Sequence, residues 1–114
     1  MNKKDKDGRT LLHLAAMEGN VKEIERLIPL GYNVNAQDNY GYTPIHLAEY
    51  NSVEASLSYR DGKNGVDYLL TIVKLARNGA NENLVDNEGL SPRGLKQKAY
   101  EVEAFKQIKK RGYF

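Results

Sequence analysis

The chain lacks cysteine and tryptophan altogether, and only 3 of its 114 residues are proline. Without cysteine it has no disulfide, no thiol nucleophile and no thiolate ligand for a metal. It also lacks any apolar stretch near the roughly 20 residues of a membrane-spanning helix, which argues against a membrane partner. Its first residues, MNKKDK, are charged and precede no apolar run. We therefore expect no signal peptide and a cytoplasmic location, or a host cytosol if the chain is a translocated bacterial protein.

The remaining composition is ordinary for one small soluble domain. Hydrophobic residues make up 40% of the chain and charged residues 28%, and the net charge is only +2. This charge is uneven, because residues 93–114 carry seven basic and two acidic side chains, a net of +5, which leaves −3 for the rest. The basic segment is either a solvated outer face or a landing site for an acidic partner.

One stretch of the sequence occurs twice. Residues 5–15, DKDGRTLLHLA, return as residues 38–48, DNYGYTPIHLA. A degraded third copy, DNEGLSP, occupies residues 86–92. Repetition at the spacing that separates Asp5 from Asp38 predicts stacked units, each of which buries its apolar face against the next. Such folds present an extended surface to a partner, not a closed chemical pocket.

The first unit is predicted to form a pair of short helices. Thr10 is a suitable cap for the first helix, and Gly19 with Asn20 ends it. The second helix has one apolar face, formed by residues at helical spacing: Val21, Ile24, Leu27 and Ile28. We expect Pro29 to end this helix early and to move Ile28 away from helical backbone angles.

Two segments identify the type of repeat. Residues 41–48, GYTPIHLA, and residues 79–83, GANEN, open and close the second unit. They match the ankyrin signature, Asp-x-x-Gly-x-Thr-Pro-Leu-His-x-Ala followed by an apolar helix and Gly-Ala-x-x-Asn, so the chain resembles the ankyrin repeat family. The resemblance implies an all-α solenoid of stacked antiparallel helix pairs with β-turn or hairpin fingers. It implies one domain, residues 1–114, with repeats at about 5–37, about 38–85 and about 86–114.

The second unit is longer than the family pattern. Aligning Gly31 with Gly79 and Val21 with Leu69 places an insertion at about residues 52–66. We expect the insertion to extend the first helix of this unit to about Tyr59 and to add nothing to the core.

The third unit has lost the signature, since Arg93 and Gly94 stand where Leu12 and His13 stand in the first unit. Its later positions keep the spacing of a second helix: Val102, Phe105, Ile108, Gly112 and Tyr113. We expect a degenerate C-terminal cap with a charged surface. No polar cap precedes the first unit, so the chain is expected to begin abruptly, to be cut from a longer protein, or to have that end covered by another surface.

Few residues could carry catalytic chemistry. His13 and His46 are the only histidines, at the same position of two units. In the ankyrin family this histidine bonds to the threonine three residues earlier and to the neighbouring turn, which implies a structural role here. The sequence has no glycine-rich phosphate loop and no Gly-x-Ser-x-Gly. We predict a non-enzymatic protein without cofactor or metal, and interpret Asp5, Asp38 and Asp86 as turn residues.

Tyrosines are the candidate binding residues, because each offers a large contact area and a polar hydroxyl. Tyr40 and Tyr42 flank a turn glycine and Tyr50 lies on the next helix, so we expect three exposed rings on the concave side. The other interpretation is a tyrosine-rich composition scattered over the surface. Together with positions that the ankyrin family varies for recognition, the predicted partner-binding residues are Arg9, Met17, Asn39, Tyr40, Tyr42, Tyr50, Asn51, Glu88 and Leu90.

Three functional hypotheses follow. The first is a protein–protein interaction module that holds a protein partner by its concave face and fingertips. The second is self-association, or a role as part of a scaffold, through the uncapped N-terminal repeat, which would give a homo-oligomer. The third is binding of an acidic surface or nucleic acid by the basic segment, residues 93–114. The sequence names no partner.

Overall fold

The computed structural model describes residues 3–57 and 65–112. Within these ranges the chain is helical and contains no strand, which confirms the all-α prediction. Five α-helices follow one another: α1 Leu11–Glu18, α2 Val21–Leu27, α3 Pro44–Leu57, α4 Gly65–Arg77 and α5 Pro92–Lys110. None of the described helices is both long enough and apolar enough to cross a membrane.

The helices form two layers. The inner layer places α3 between α1 and α5, and the outer layer pairs α2 with α4. Within each of the first two units, the inner helix also packs on the outer one. The core between the layers consists of buried apolar side chains: Leu12, Ala15, Ala16, Ile24, Leu27, Ile45, Ala48 and Leu75. The alanines let neighbouring helices approach closely, because their side chains are small.

A sharp break separates α1 from α2. Gly19 adopts the left-handed conformation, with φ of 64°. The Asn20 N–H donates to the Ala15 carbonyl over 3.0 Å, and the Asn20 side chain accepts from the Glu23 N–H. A Cβ at position 19 would also lie 3.2 Å from the Tyr68 ring. Glycine is therefore favoured here by its backbone angle, and a larger residue would also press against the Tyr68 ring.

Proline ends α2 early, as predicted. The helix stops at Leu27 and a single 3₁₀ turn, Ile28–Leu30, follows it. The expectation for Ile28 was wrong, since its φ of −57° and ψ of −48° remain helical. A 3₁₀ turn uses nearly the same backbone angles as an α-helix, and it accepts Pro29 near its start, where no N–H is needed.

The insertion in the second unit extends the inner helix, as predicted. α3 has 14 residues, whereas α1 has 8. The predicted end at Tyr59 lies outside the described residues. The expectation that the insertion adds nothing to the core was wrong at its first residues, because Ser52 is 5% exposed and Val53 only 1%. Ser52 takes the place that Gly19 has in the first unit, so the helix continues and carries Val53 inward.

The third unit is one continuous helix, not a pair. α5 has 19 residues, and Tyr100 with Glu101 replaces the Gly19–Asn20 break of the first unit. The predicted second-helix residues do not pack as a core: Val102, Phe105 and Ile108 are 46%, 54% and 40% exposed. Gly112 follows the helix end with φ of 82°, and Tyr113 lies outside the described residues. The expected helix pair was wrong because the sequence offers no breaker between Leu95 and Arg111.

Truncation of Leu27 should destabilise the fold by about 2–5 kcal/mol, because its side chain is fully buried between the layers. Leu30→Ala is the matched control, since Leu30 is 46% exposed. Urea denaturation measures both free energies of unfolding. Equal effects of the two changes would mean that Leu27 does not belong to the core.

Candidate functional site

Three turns project beside the inner helices. We name them fingers one, two and three: residues 5–9, 38–42 and 86–90. Asp38 Oδ1 accepts the N–H groups of Tyr40 and Tyr42, each over 2.9 Å. Asp5 and Asp86 make the same pair of bonds in their own fingers. The prediction that these three aspartates are turn residues is confirmed, and the bonds lower the pKa of the Asp5 carboxyl, chiefly through the Arg9 N–H.

Neighbouring fingers are joined through asparagines. The Asn39 N–H donates to the Asp7 carbonyl over 2.9 Å, and its side-chain Nδ2 donates to the Lys6 carbonyl over 3.1 Å. Asn87 repeats both bonds one unit later, to the carbonyls of Tyr40 and Asn39. Asn39 was predicted to contact a partner, but its amide is used to hold finger two against finger one.

Each histidine bonds its own unit to the next. His13 Nδ1 accepts the Thr10 N–H over 3.1 Å, and Nε2 lies 2.9 Å from the Tyr42 carbonyl. A carbonyl oxygen can only accept, so Nε2 carries the proton and the ring is neutral. His46 makes the same contacts, to the Thr43 N–H and the Leu90 carbonyl. The structural role implied by the ankyrin resemblance is confirmed, and burial lowers the pKa of His13.

A buried ion pair completes the contact between fingers one and two, which we call the first joint. Arg9 Nε donates to Asp38 Oδ2 over 3.0 Å, and the Asp38 side chain has no exposed surface. The guanidinium lies 3.9 Å from Asp7 and 5.8 Å from the centre of the Tyr40 ring. Arg9 was predicted to bind a partner, yet its charged group is already engaged inside the fold.

The contact between fingers two and three, which we call the second joint, lacks this pair. In the alignment of the repeats, Tyr42 stands in the place of Arg9 and Asp86 stands in the place of Asp38. Asp86 is 5% exposed, and its Oδ2 has no hydrogen-bond partner among the described residues. Burial raises the pKa of the Tyr42 hydroxyl, and the charges of Asp86 and Glu88 raise it further. The second joint therefore contains a buried carboxylate oxygen that no described residue bonds.

A groove of about 240 Å³ lies beside this second joint, between α3, α5 and the fingers. Four of the predicted partner-binding residues line it: Tyr42, Tyr50, Asn51 and Glu88. The other lining residues come from α3 and α5: Val53, Leu95, Lys98, Ala99, Val102, Glu103 and Lys106. The floor is thus apolar and the rim is charged.

The three candidate tyrosines differ in exposure. Tyr50 is 50% exposed and lines the groove. Tyr40 is also 50% exposed, but it lies against Arg9 and is not part of the groove lining. The expectation of an exposed Tyr42 holds only in part, because the residue is partly buried and its ring lies 5.9 Å from the His46 ring and 6.0 Å from Tyr40. Tyr50 is therefore the most accessible aromatic group of the groove.

The remaining predicted residues have other neighbours. Met17 lies at the end of α1, where its carbonyl accepts the Tyr68 hydroxyl over 2.8 Å. Leu90 accepts from His46 through its carbonyl. Asn51 lines the groove while its Nδ2 donates to the Leu47 carbonyl over 2.8 Å. The groove therefore brings together only part of the predicted set.

Sequence reasoning missed the wall that α5 contributes. Its groove-lining residues fall at the spacing of a single helix face: Leu95, Ala99, Val102 and Lys106. This spacing was a readable signal. It was hidden by the alignment of Val102 with Val21, which assigned the later residues to a separate helix.

Carboxylates neutralise part of the basic segment. Lys96 lies 3.4 Å from Glu49, Lys98 lies 2.8 Å from Glu88 and Lys106 lies 3.4 Å from Glu103. Three of the seven basic residues of residues 93–114 are thus paired, and two of these pairs lie on the groove rim. Glu103 is already counted in the segment's net charge of +5, whereas Glu49 and Glu88 come from outside it and offset two further positive charges.

Comparison with known proteins identifies the family. A family model described as ankyrin repeats in three copies matches residues 1–71. The chain belongs to the ankyrin repeat family. Ankyrin repeats generally act as protein–protein interaction modules and are typically not enzymes.

Relatives share short segments with this ankyrin-repeat chain. Human Rabankyrin-5 is 54% identical over 43 residues, which is 38% of this chain and 4% of the relative. Human ankyrin repeat and SOCS box protein 3 is 55% identical over 42 residues, 36% of this chain and 8% of the relative. Mouse protein phosphatase 1 regulatory subunit 12A is 44% identical over 45 residues, 40% of this chain and 4% of the relative. The chain thus spans under a tenth of these relatives' lengths.

Acidification should destabilise the protein through His13. Because burial lowers the folded-state pKa of His13, the unfolded chain takes up the proton first as the pH falls through about 6.5. Stability present above that pH is lost below it, by at most about 1.4 kcal/mol per pH unit for one proton.

Urea denaturation between about pH 7.5 and 5.5 measures this loss. The variant His13→Gln should be less stable at neutral pH, since it loses the bonds to Thr10 and Tyr42, but it should show a flatter pH dependence. Identical slopes for the two proteins would contradict the assignment of the pH dependence to His13.

Proposed function

We propose that this chain binds a protein partner through the groove between α3, α5 and fingers two and three. The observation that carries the proposal is Tyr50, half exposed above an apolar floor. Tyrosines in such settings supply much of the binding energy of protein interfaces, because the ring buries a large area and the hydroxyl finds a polar partner. No chemical step is proposed, and the protein acts by holding its partner.

The size of the groove favours side chains of a larger partner over a small molecule. Its volume of about 240 Å³ is below the range of roughly 300–1,000 Å³ typical of small-molecule sites. One or two side chains of a protein segment would occupy it, while the rest of the segment lies across the fingers.

The charged rim can adapt to such a partner. The pairs Lys98–Glu88 and Lys106–Glu103 are exposed, and exposed ion pairs contribute little to stability. Either member can therefore exchange its intramolecular partner for a group of the bound protein at small cost.

The other two hypotheses gain less support. Glu49 and Glu88 from outside the basic segment neutralise two of its lysines, which weakens the case for an acidic surface or nucleic acid. Self-association through the first unit stays a prediction, and light scattering on the purified chain tests it.

A photo-crosslinking amino acid at position 50 should capture the partner from a cell extract, whereas the same group at Leu69 should not. Leu69 is a fair control because it is 59% exposed and lies on α4 in the outer layer. Equal capture at both positions would contradict binding in the groove.

Tyr50→Ala should then weaken binding of the captured partner by about 1–3 kcal/mol. Its free energy of unfolding should change by less than about 0.5 kcal/mol, because the side chain is half exposed. Calorimetric titration and urea denaturation measure the two effects. Loss of stability with binding unchanged would assign Tyr50 a structural role instead.

A further inference from the structure

The two joints share a buried aspartate but differ in the side chain that stands at the position of Arg9. In the first joint a guanidinium, that of Arg9, satisfies Asp38 Oδ2 over 3.0 Å and lies against the Tyr40 ring. In the second joint Tyr42 takes the place of the arginine, although the buried carboxylate is kept at Asp86. A buried carboxylate oxygen without a partner is costly, so it is expected to receive a hydrogen bond in the functional state of a protein.

The surroundings of the second joint fit a cation. Glu88 stands there in the place of Tyr40, so the second joint has two carboxylates, as the first joint does with Asp38 and Asp7. Tyr42 replaces Arg9, so an aromatic side chain stands at the aligned position of the guanidinium. Lys98 compensates Glu88 over 2.8 Å, but no described residue bonds Asp86 Oδ2. The negative charges of Asp86 and Glu88 also act on the Tyr42 hydroxyl, whose pKa is raised.

We propose that an arginine of the protein partner enters the second joint and bonds Asp86 Oδ2, in the position that Arg9 occupies in the first joint. The inference rests on the proposed function, because the arginine belongs to the segment that the groove holds. It specifies the chemistry of that partner: an exposed arginine beside residues that suit an apolar floor.

Arginine fits this place better than lysine. Its planar guanidinium can donate to a carboxylate while one face contacts an aromatic ring, as Arg9 does between Asp38 and Tyr40. A lysine ammonium is more strongly hydrated and loses more on entering a buried joint.

Access to Asp86 requires one side chain to move, because its Oδ2 is sealed from solvent. Tyr42 is the group that gives way, since it stands at the aligned position of Arg9, its hydroxyl is influenced by the Asp86 charge, and it also lines the groove. Turning this ring towards the groove opens the joint and offers an aromatic face to the incoming cation.

An NMR titration with a short Gly-Ser peptide bearing one arginine tests the inference. The reporters are the N–H groups of Glu88 and Leu90, which donate to Asp86 Oδ1 over 2.8 and 2.9 Å. Saturable shifts of these two signals are expected with the arginine peptide. The same peptide with citrulline, which has the shape of arginine but no charge, should cause none.

Two variants and one control complete the test. Asp86→Asn should weaken the arginine response at least about tenfold, whereas Asp5→Asn, at the equivalent exposed position of finger one, should not. Tyr42→Arg should fill the joint from within the chain, raise the unfolding temperature and abolish the response. It keeps the test decisive if Asp86→Asn fails to fold.

The outcomes separate this inference from the proposed function. Equal responses to the arginine and citrulline peptides, or an arginine response that persists in Tyr42→Arg, would overturn the arginine site. Position-specific capture at residue 50 would still support the groove as the partner site in that case. Absence of such capture would instead count against the groove itself.

Discussion

The length of each inner helix is set by whether a glycine is present to end it, and much of the structure depends on this constraint. Gly19 leaves α1 in the left-handed conformation, with φ of 64°, and the chain turns back at once to form a helix pair. Ser52 and Tyr100 occupy the corresponding places of the later units. Neither residue favours that conformation, so the inner helices lengthen from 8 residues in α1 to 14 in α3 and 19 in α5. Val53 of α3 and three residues of α5, Val102, Glu103 and Lys106, lie beyond the equivalent of the α1 end and complete the groove, whose other helix residues lie in the part that α1 also has.

The joints between the fingers explain which polar residues remain for binding. Backbone and side-chain amides of Asn39 and Asn87 hold the fingers together, and neutral His13 and His46 tie each unit to the next. These side chains are used inside the fold. The second joint differs in having a carboxylate oxygen, Asp86 Oδ2, without a hydrogen-bond partner among the described residues, and it lies beside the groove. The unbonded carboxylate oxygen of Asp86 and the apolar floor of the groove thus lie at the same end of the molecule.

The sequence was sufficient to predict the repeat fold, the turn aspartates and the early end of α2 at Pro29, because each follows from a sequence pattern. The histidine contacts were implied by the resemblance to the ankyrin family. The sequence did not reveal that α5 is continuous. A repeated apolar spacing such as Val102, Phe105 and Ile108 was read as a second helix, although the missing glycine at Tyr100 decides the backbone. The role of Arg9 was also missed, since a charged residue in a turn looks exposed until the neighbouring finger supplies Asp38. The sequence thus did not reveal the contacts that join two units.

The continuity of α5 is the central claim, because the groove wall depends on it. Carbon-13 α chemical shifts of Tyr100, Glu101 and Val102, together with amide-to-amide contacts across them, measure it directly in solution. An unbroken helix predicts helical shifts at all three residues and sequential amide contacts from Leu95 to Lys110. Random-coil or left-handed shifts at Tyr100 and Glu101, with contacts between Phe105 and Leu69 or Val73 of α4, would show a folded-back helix pair and would contradict the groove as described.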